Sequence, residues 1–240
     1  MLETIQLENI FFIDIETVPA VPAFDDLPEG LRALWEKKSA YLRKPEQSAE
    51  EVYERAGIYA EFGKIICISA GYISTKEDRR VFRMKSFAGD DEKALLTDFA
   101  KALLQFFNAK RSAHLCAHNG KEFDFPYIAR RMLINGVKLP QALNVHGQKP
   151  WETPFLDTME LWKFGDYKHF TSLNLMAHLF GIPTPKDDID GSQVADVYYK
   201  EKDLQRIVDY CEKDVFTAAQ VFLKLRGCGD EITEVERAQS

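Results

Sequence analysis

The alternation of apolar and polar positions divides the chain into elements, and the clearest comes first. Phe11-Phe12-Ile13-Asp14-Ile15-Glu16 is an apolar run that ends in two acids. Along a strand, Phe11, Ile13 and Ile15 turn to one face and Phe12, Asp14 and Glu16 to the other, with the acids roughly 6.6 Å apart. A strand apolar on both faces belongs in the middle of a covered sheet. Carboxylates are tolerated there only at its end, beside water or a cation. Residues 18–62 carry no strand pattern. Leu27, Leu31, Leu34, Trp35 and Leu42 recur at helical spacing, and Ser48-Ala49-Glu50-Glu51 is a capping box that opens a second helix with Val52, Tyr53, Ala56 and Ala60 on one face. This segment is expected to be a helical insertion leaving the sheet at its acid-bearing end, a candidate lid or substrate wall.

Further along, residues 64–73 read as a buried strand, 75–79 as a polar turn and 81–87 as a more exposed returning strand, together an antiparallel hairpin. Gly89-Asp90-Asp91 caps a helix with the apolar stripe Leu95, Phe99, Leu103 and Phe106. Residues 113–117 form a fourth strand; the helix before it implies a crossover and a parallel pair. Asp124 stands at or just before the N-terminus of the next helix, with Pro126 in its first turn, Ile128, Met132 and Leu133 on its apolar face and Gly136 as its stop. Residues 155–161 fit either a short fifth strand or the start of a helix. Thr171 caps a helix carrying Leu175, Met176 and Leu179, closed by Gly181 and Pro183. The acidic turn 187–191 leads to Ser192 as the next cap. A last helix over about residues 201–226 buries Leu204, Ile207, Val208, Cys211, Val215, Ala218 and Phe222. It sets Tyr210 and Asp214 four residues apart on the border between core and solvent. Gly227 and Gly229 end it, and the polar tail 230–240 is expected to fray. The order of elements predicts an α/β fold with a mixed sheet.

Composition narrows the classes. A chain of 240 residues, 45% hydrophobic and 12% aromatic, has ample material for the core of a single domain and is not a disordered chain. Four cysteines without a CxxC suggest neither a zinc knuckle nor a disulfide framework, and Cys67, Cys116 and Cys211 fall inside apolar segments as reduced core residues. No basic leader and no membrane-length apolar run precede or interrupt the pattern, so a soluble, cytoplasmic protein is expected. The net charge of −7 counts against a protein that coats nucleic acid through a broad basic surface. It counts less against a metal-dependent nuclease, whose acids are gathered at its ions and whose phosphate contacts can be few and local. Residues 162–170 interleave basic and aromatic side chains, as a base-stacking surface or the edge of a core would.

The acids suggest the chemistry. Asp14, Glu16, Asp124 and Asp214 would repel one another if they met unpaired. Two divalent cations roughly 3.5–4 Å apart remove that repulsion and create a phosphoryl-transfer site. Oxygen-only ligands favour Mg²⁺ or Mn²⁺. Tyr210 beside them suits the orienting of a water better than its deprotonation, given an ordinary tyrosine pKa near ~10.

Asp14-x-Glu16, Asn119-x3-Phe123-Asp124 and Tyr210-x3-Asp214 resemble, in order and surroundings, the three motifs of the DEDDy group of DnaQ-like 3′–5′ exonucleases. The likeness is greatest to the stand-alone predicted 3′–5′ exonucleases related to the proofreading domain of family-B DNA polymerases, and it runs from about residue 9 to residue 226. It implies a ribonuclease H-like fold, with a five-stranded mixed sheet whose second strand is antiparallel. It implies release of nucleoside 5′-monophosphates from the 3′ end of single-stranded DNA, with two Mg²⁺ or Mn²⁺ ions. Asp14, Glu16, Asp124 and Asp214 match the metal ligands and Tyr210 the water-orienting tyrosine. Thr17, Val18, Asn119 and Phe123 match positions that contact the terminal nucleotide. The insertion at 18–62 is longer than in compact proofreading domains and leaves the shape of the substrate channel open. A catalytically idle nucleic-acid-binding subunit and an RNA 3′ exonuclease of the same fold are the alternatives. No residue names a partner in replication or repair.

Overall fold

The computed structural model describes residues 2–77, 79–166, 170–183, 189–227, 232 and 234–238. In chain order its elements are β1 (Ile10–Pro19), α1 (Glu29–Ser39), β2 (Gly63–Lys76), β3 (Arg79–Ala88), α2 (Glu92–Ala109), β4 (His114–Ala117) and α3 (Asp124–Ile134). Then follow β5 (Leu156–Asp157), α4 (Thr158–Lys163), α5 (Leu173–Leu179), α6 (Val194–Asp196), α7 (Leu204–Leu225) and β6 (Glu234–Arg237). The strands make one mixed sheet in the order β5-β4-β1-β2-β3-β6. β2 runs antiparallel to both neighbours, while β4, β5 and β6 each run parallel to the strand they join.

Alternation along β1 explains its central position. Phe11, Ile13 and Ile15 pack on one face with Leu96, Phe99 and Leu103 of α2 and Ile128 and Met132 of α3. Ile10 and Phe12 pack on the other with Val215, Ala219 and Phe222 of α7. A strand covered by helices on both faces has its first polar opportunity at its C-terminal end, where Asp14 and Glu16 lie. Between Glu16 and Thr17 the register with β2 slips, so that Glu16 faces Cys67 and Thr17 faces Ile65. Such bulges bend a strand and re-aim the side chains beside it.

The sheet has six strands rather than the expected five, because part of the tail is ordered. Its pairing is charged rather than apolar: Glu236 bonds Lys76 and Arg83, each at 3.1 Å, and Arg237 Nε reaches Glu212 at 2.7 Å. Ile232 adds one buried anchor. Residues 230, 231, 233, 239 and 240 of that tail, like Cys228 and Gly229, lie outside the described residues, as do Tyr167, Lys168 and His169 of the basic–aromatic run and Asp187 and Asp188 of the acidic turn. The ambiguous stretch 155–161 is both things in succession, β5 and then α4.

The insertion is ordered around its own small core of Leu27, Trp35, Val52, Tyr53, Ala56 and Phe62. Trp35 Nε1 donates to the Ala49 carbonyl at 2.9 Å. Its second helix differs from expectation: the Ser48–Glu51 capping box forms, but Tyr53–Ile58 is a 3₁₀ segment. Close packing against β1 accounts for the tighter winding, since a Cβ on Gly57 would sit 3.1 Å from the Val18 carbonyl carbon. Leu31 and Leu34, read as the inner face of the first helix, are exposed at 36% and 53%. In α5 the cap is Ser172, whose hydroxyl accepts from Leu175 N, one residue later than the sequence suggested. Gln193 rather than Ser192 precedes α6, and Ser192 instead donates from both N and Oγ to Asp190.

Candidate active site

Three elements converge at the C-terminal edge of β1. Asp14 and Glu16 come from the strand, Asp124 from the first residue of α3, and Asp214 from α7, which crosses the same face. Ile207, Cys211, Val215, Ala219 and Phe222 bury one side of α7, and this seats Tyr210 and Asp214 half-buried at its margin. Glu16 and Asp124 are more than nine-tenths buried, at 8% and 3% exposure.

The carboxylates feel one another. Burial pushes the Asp14 carboxyl well above its ordinary value, and Asp214, Asp124 and Glu16 add to it in that order. Burial raises Glu16 in the same way, followed by Asp214, Cys67 and Asp124. Asp124 is pushed up to about 8 by burial, with Asp157 and Asp214 adding, although the backbone amides of Asp124 and Ile15 hold it down. All four acids named from the sequence are therefore within electrostatic reach of one another. Like charges so placed need a cation or shared protons.

The donor set fits a hard divalent ion. Four carboxylates offer only oxygen, and two of them, Glu16 and Asp124, are held in a nearly buried site where their charges call for a cation. Ligand atoms of Asp14 and Glu16 lie within 4.8 Å of each other and of Cys211 Sγ. Cys211 is the free, buried core thiol its spacing implied, and it also donates to Asp14 Oδ2 at 3.3 Å.

Of the residues expected to meet the terminal nucleotide, Thr17 is half-buried and bonds the Tyr127 hydroxyl, which itself donates to the Gly57 carbonyl at 2.7 Å. Val18 is sealed in the core, backbone included, and pairs with Lys64 of β2. Phe123 packs beside Tyr127 with ring centroids 5.3 Å apart. Asn119 has φ +62°, in the left-handed region, and its buried Oδ1 has no hydrogen-bond partner among the described residues. Strain and an orphaned acceptor in one residue mark a position held for a purpose other than packing.

What holds that loop is Asp157, which sequence reasoning passed over. It is buried, and its carboxylate accepts from Asn119 N, Lys121 N and Met159 N, each at 3.0 Å, and from Glu160 N at 3.3 Å. One side chain thus caps α4 and clamps the loop that leads to Asp124. The spacing Asp157-x-x-Glu160 ahead of apolar Leu161 is the signal that pointed to a helix cap there. His118 adds a second tether: Nε2–H donates to the Thr171 carbonyl and Nδ1 meets Thr158 Oγ1, both at 2.9 Å. That leaves Phe170, 64% exposed under the Lys163 ammonium, next to the His118-tethered Thr171. The cavity of about 530 Å³ near Phe11, Tyr72 and Phe106 touches none of the acids.

Comparison with known proteins agrees with this architecture. Residues 58–240 match the family described as "Predicted 3'-5' exonuclease related to the exonuclease domain of PolB". Among solved structures, the family B DNA polymerase from the hyperthermophilic archaeon Pyrobaculum calidifontis superposes with a TM-score of 0.50 at 15% identity, covering 90% of this chain. This chain spans 24% of that polymerase's length, and at such identity the likeness concerns the fold. A comparison with curated proteins finds no match.

Proposed function

The chain belongs to the family of predicted 3′–5′ exonucleases related to the exonuclease domain of PolB, and from that premise we propose that it removes nucleotides from the 3′ end of single-stranded DNA with two Mg²⁺ or Mn²⁺ ions. The observation that carries the reading is the meeting of four acids from three distant stretches of chain, two of them more than nine-tenths buried. Asp14, Glu16, Asp124 and Asp214 would hold the ions. Bound there, divalent cations supply charge neutralisation, an acidified water and stabilisation of the leaving oxygen.

The protein's own groups set the geometry. The Tyr210 hydroxyl, one helical turn from Asp214, would orient the attacking water by hydrogen bonding. Asn119 Oδ1, lacking a partner, would accept from the terminal nucleotide, with Thr17 and Phe123 on either side. Water oxygen bonds to phosphorus, the bond from phosphorus to the upstream 3′ oxygen breaks, and that oxygen takes a proton. The products are a nucleoside 5′-monophosphate and a strand one residue shorter. The insertion would act as a fixed wall: Tyr127 holds Gly57 and Arg131 Nη1 holds the Ala60 carbonyl at 2.8 Å, which leaves little freedom for a lid.

The test is a 5′-labelled DNA oligomer incubated with Mn²⁺, with and without chelator, beside the matching RNA. Stepwise 3′ shortening that chelator stops is expected, with Asp14→Ala inactive though folded and Tyr210→Phe losing kcat but not binding. Full activity of Asp14→Ala would overturn the assignment, and shortening of RNA alone would move the substrate class.

A further inference from the structure

The sheet is wider than the helix that covers it. On the side where α2 packs, the cross-strand neighbours Tyr72, Arg83 and Glu236 run out to β6, and α2 meets them with the small side chains of Ala102 and Ala109. With Ala70 on β2, these alanines leave a cavity of about 530 Å³. Small-molecule sites run from roughly 300 to 1,000 Å³. The floor is aromatic: the Phe106 ring centroid lies 4.8 Å from that of Phe11 and 5.3 Å from that of Tyr72. The rim is basic. Arg83, Lys85, Lys110 and Arg237 line it against a single carboxylate, Glu236, in a chain whose net charge is −7. Arg83 is spent on Glu236 and Arg237 on Glu212. Lys85 and Lys110 instead stand over Phe87 at 5.3 Å and Phe106 at 6.0 Å, with no ion pair among the described residues. The acid that Lys85 feels, Asp98, is already engaged by Lys101 at 2.8 Å.

We propose that this cavity binds a small aromatic anion of the nucleoside monophosphate class, its ring against Phe106 and Tyr72 and its phosphate between Lys85 and Lys110. The floor offers a flat π surface to a ring, and the two ammonium groups offer charge-assisted hydrogen bonds to phosphate oxygens. A purely apolar ligand would leave both cations without gain, and inorganic phosphate would leave the floor empty. The cavity lies across the sheet from the acids, because Phe11 and Asp14 point to opposite faces of β1. That its occupant is the product released at those acids rests on the exonuclease reading; affinity for an aromatic anion does not.

The experiment is isothermal titration calorimetry of the whole chain with dAMP in EDTA, which keeps metal ions from drawing the phosphate to the acids. One equivalent of dAMP should bind, with deoxyadenosine and inorganic phosphate each on the order of tenfold weaker or more. The double variant Lys85→Glu, Lys110→Glu should lose on the order of a hundredfold in affinity. Ala102→Trp should fill the cavity and abolish binding; Ala109→Trp, at an exposed position, serves if that variant does not fold, as judged by thermal unfolding. Asp124→Asn should leave dAMP binding unchanged. Absence of dAMP binding, phosphate alone binding as tightly, affinity unchanged by the double lysine variant, or affinity lost in Asp124→Asn each overturns the inference. If Mn²⁺ supports hydrolysis but dAMP does not bind, this inference alone fails. If dAMP binds as expected and no oligomer is cut, the anion site stands and the exonuclease reading falls.

Discussion

Asp157→Asn changes one atom in the clamp behind the Asp124 loop, and its cost can be worked bond by bond. The Asp157 Oδ1 atom accepts from Asn119 N, Met159 N and Glu160 N, while Oδ2 accepts from Lys121 N. Asparagine keeps an oxygen for the first three but removes the charge behind them. A hydrogen bond to a charged group contributes about 1.5–3 kcal/mol and a neutral one about 0.5–1.5, so the three together lose about 3 kcal/mol. The new NH₂ then faces the Lys121 N–H, leaving that donor without an acceptor at about 1–3 kcal/mol. Against this, the buried charge no longer has to be desolvated, which returns part of the loss. A net destabilisation of about 3 kcal/mol remains, a fall in Tm of about 6–12 °C for a chain of this length. Urea unfolding measures it as a lower midpoint at unchanged slope. Hydrolysis should fall as well, because Asn119 and Asp124 lose their common anchor. The Asp124 carboxyl should titrate lower, since Asp157 is one of the charges that raise it. A loss below about 1 kcal/mol would refute the idea that Asp157 fixes the loop.

Arg131→Met should cost about 3–5 kcal/mol by denaturant unfolding, because it strips a buried partner from Glu92, which Arg131 holds with Nε at 2.8 Å, and abandons the Ala60 carbonyl. The metal-free protein should also show a pH signature. Asp14, Glu16 and Asp124 are all held above their ordinary 3.8, 4.5 and 3.8, Asp124 at about 8, so above those ordinary values the native state holds protons the unfolded chain has lost, and stability falls as pH rises. His118 pulls the other way: burial lowers it from 6.5, so stability is lost as pH drops below that value. The difference in Tm with and without Mn²⁺ isolates the acids and should grow from pH 5 to pH 8; a difference that shrinks over that range would contradict it.

Much of the fold was legible because it rests on local pattern. The alternation in β1, the stripe of α2 and the apolar face of α7 each declare which side is buried, and the three acid motifs follow from where those elements end. What escaped the sequence depends on partners distant along the chain. Ile232 and Val235 are too few to announce β6, whose pairing comes from Glu236 meeting Lys76 and Arg83. The 3₁₀ winding of residues 53–58 is imposed by the nearness of β1, which no helical periodicity contains. Cys211 reads as core by its spacing and is core by its burial; only the crossing of α7 over β1 turns its sulfur toward Asp14. Asp157 sat in a segment whose element type was itself undecided, so its clamp could not be seen without the loop it holds.

The last strand has a practical bearing on how the protein can be handled. β6 occupies the outer side of β3 in the register Val81 with Glu234 to Met84 with Arg237. Trimming the chain before residue 232 would bare those backbone groups and leave Phe82 and Met84 short of cover, a ready template for another molecule's strand. A shortened version made for crystals or assays should therefore self-associate more readily, and a bulky carboxy-terminal fusion would press on the same seam.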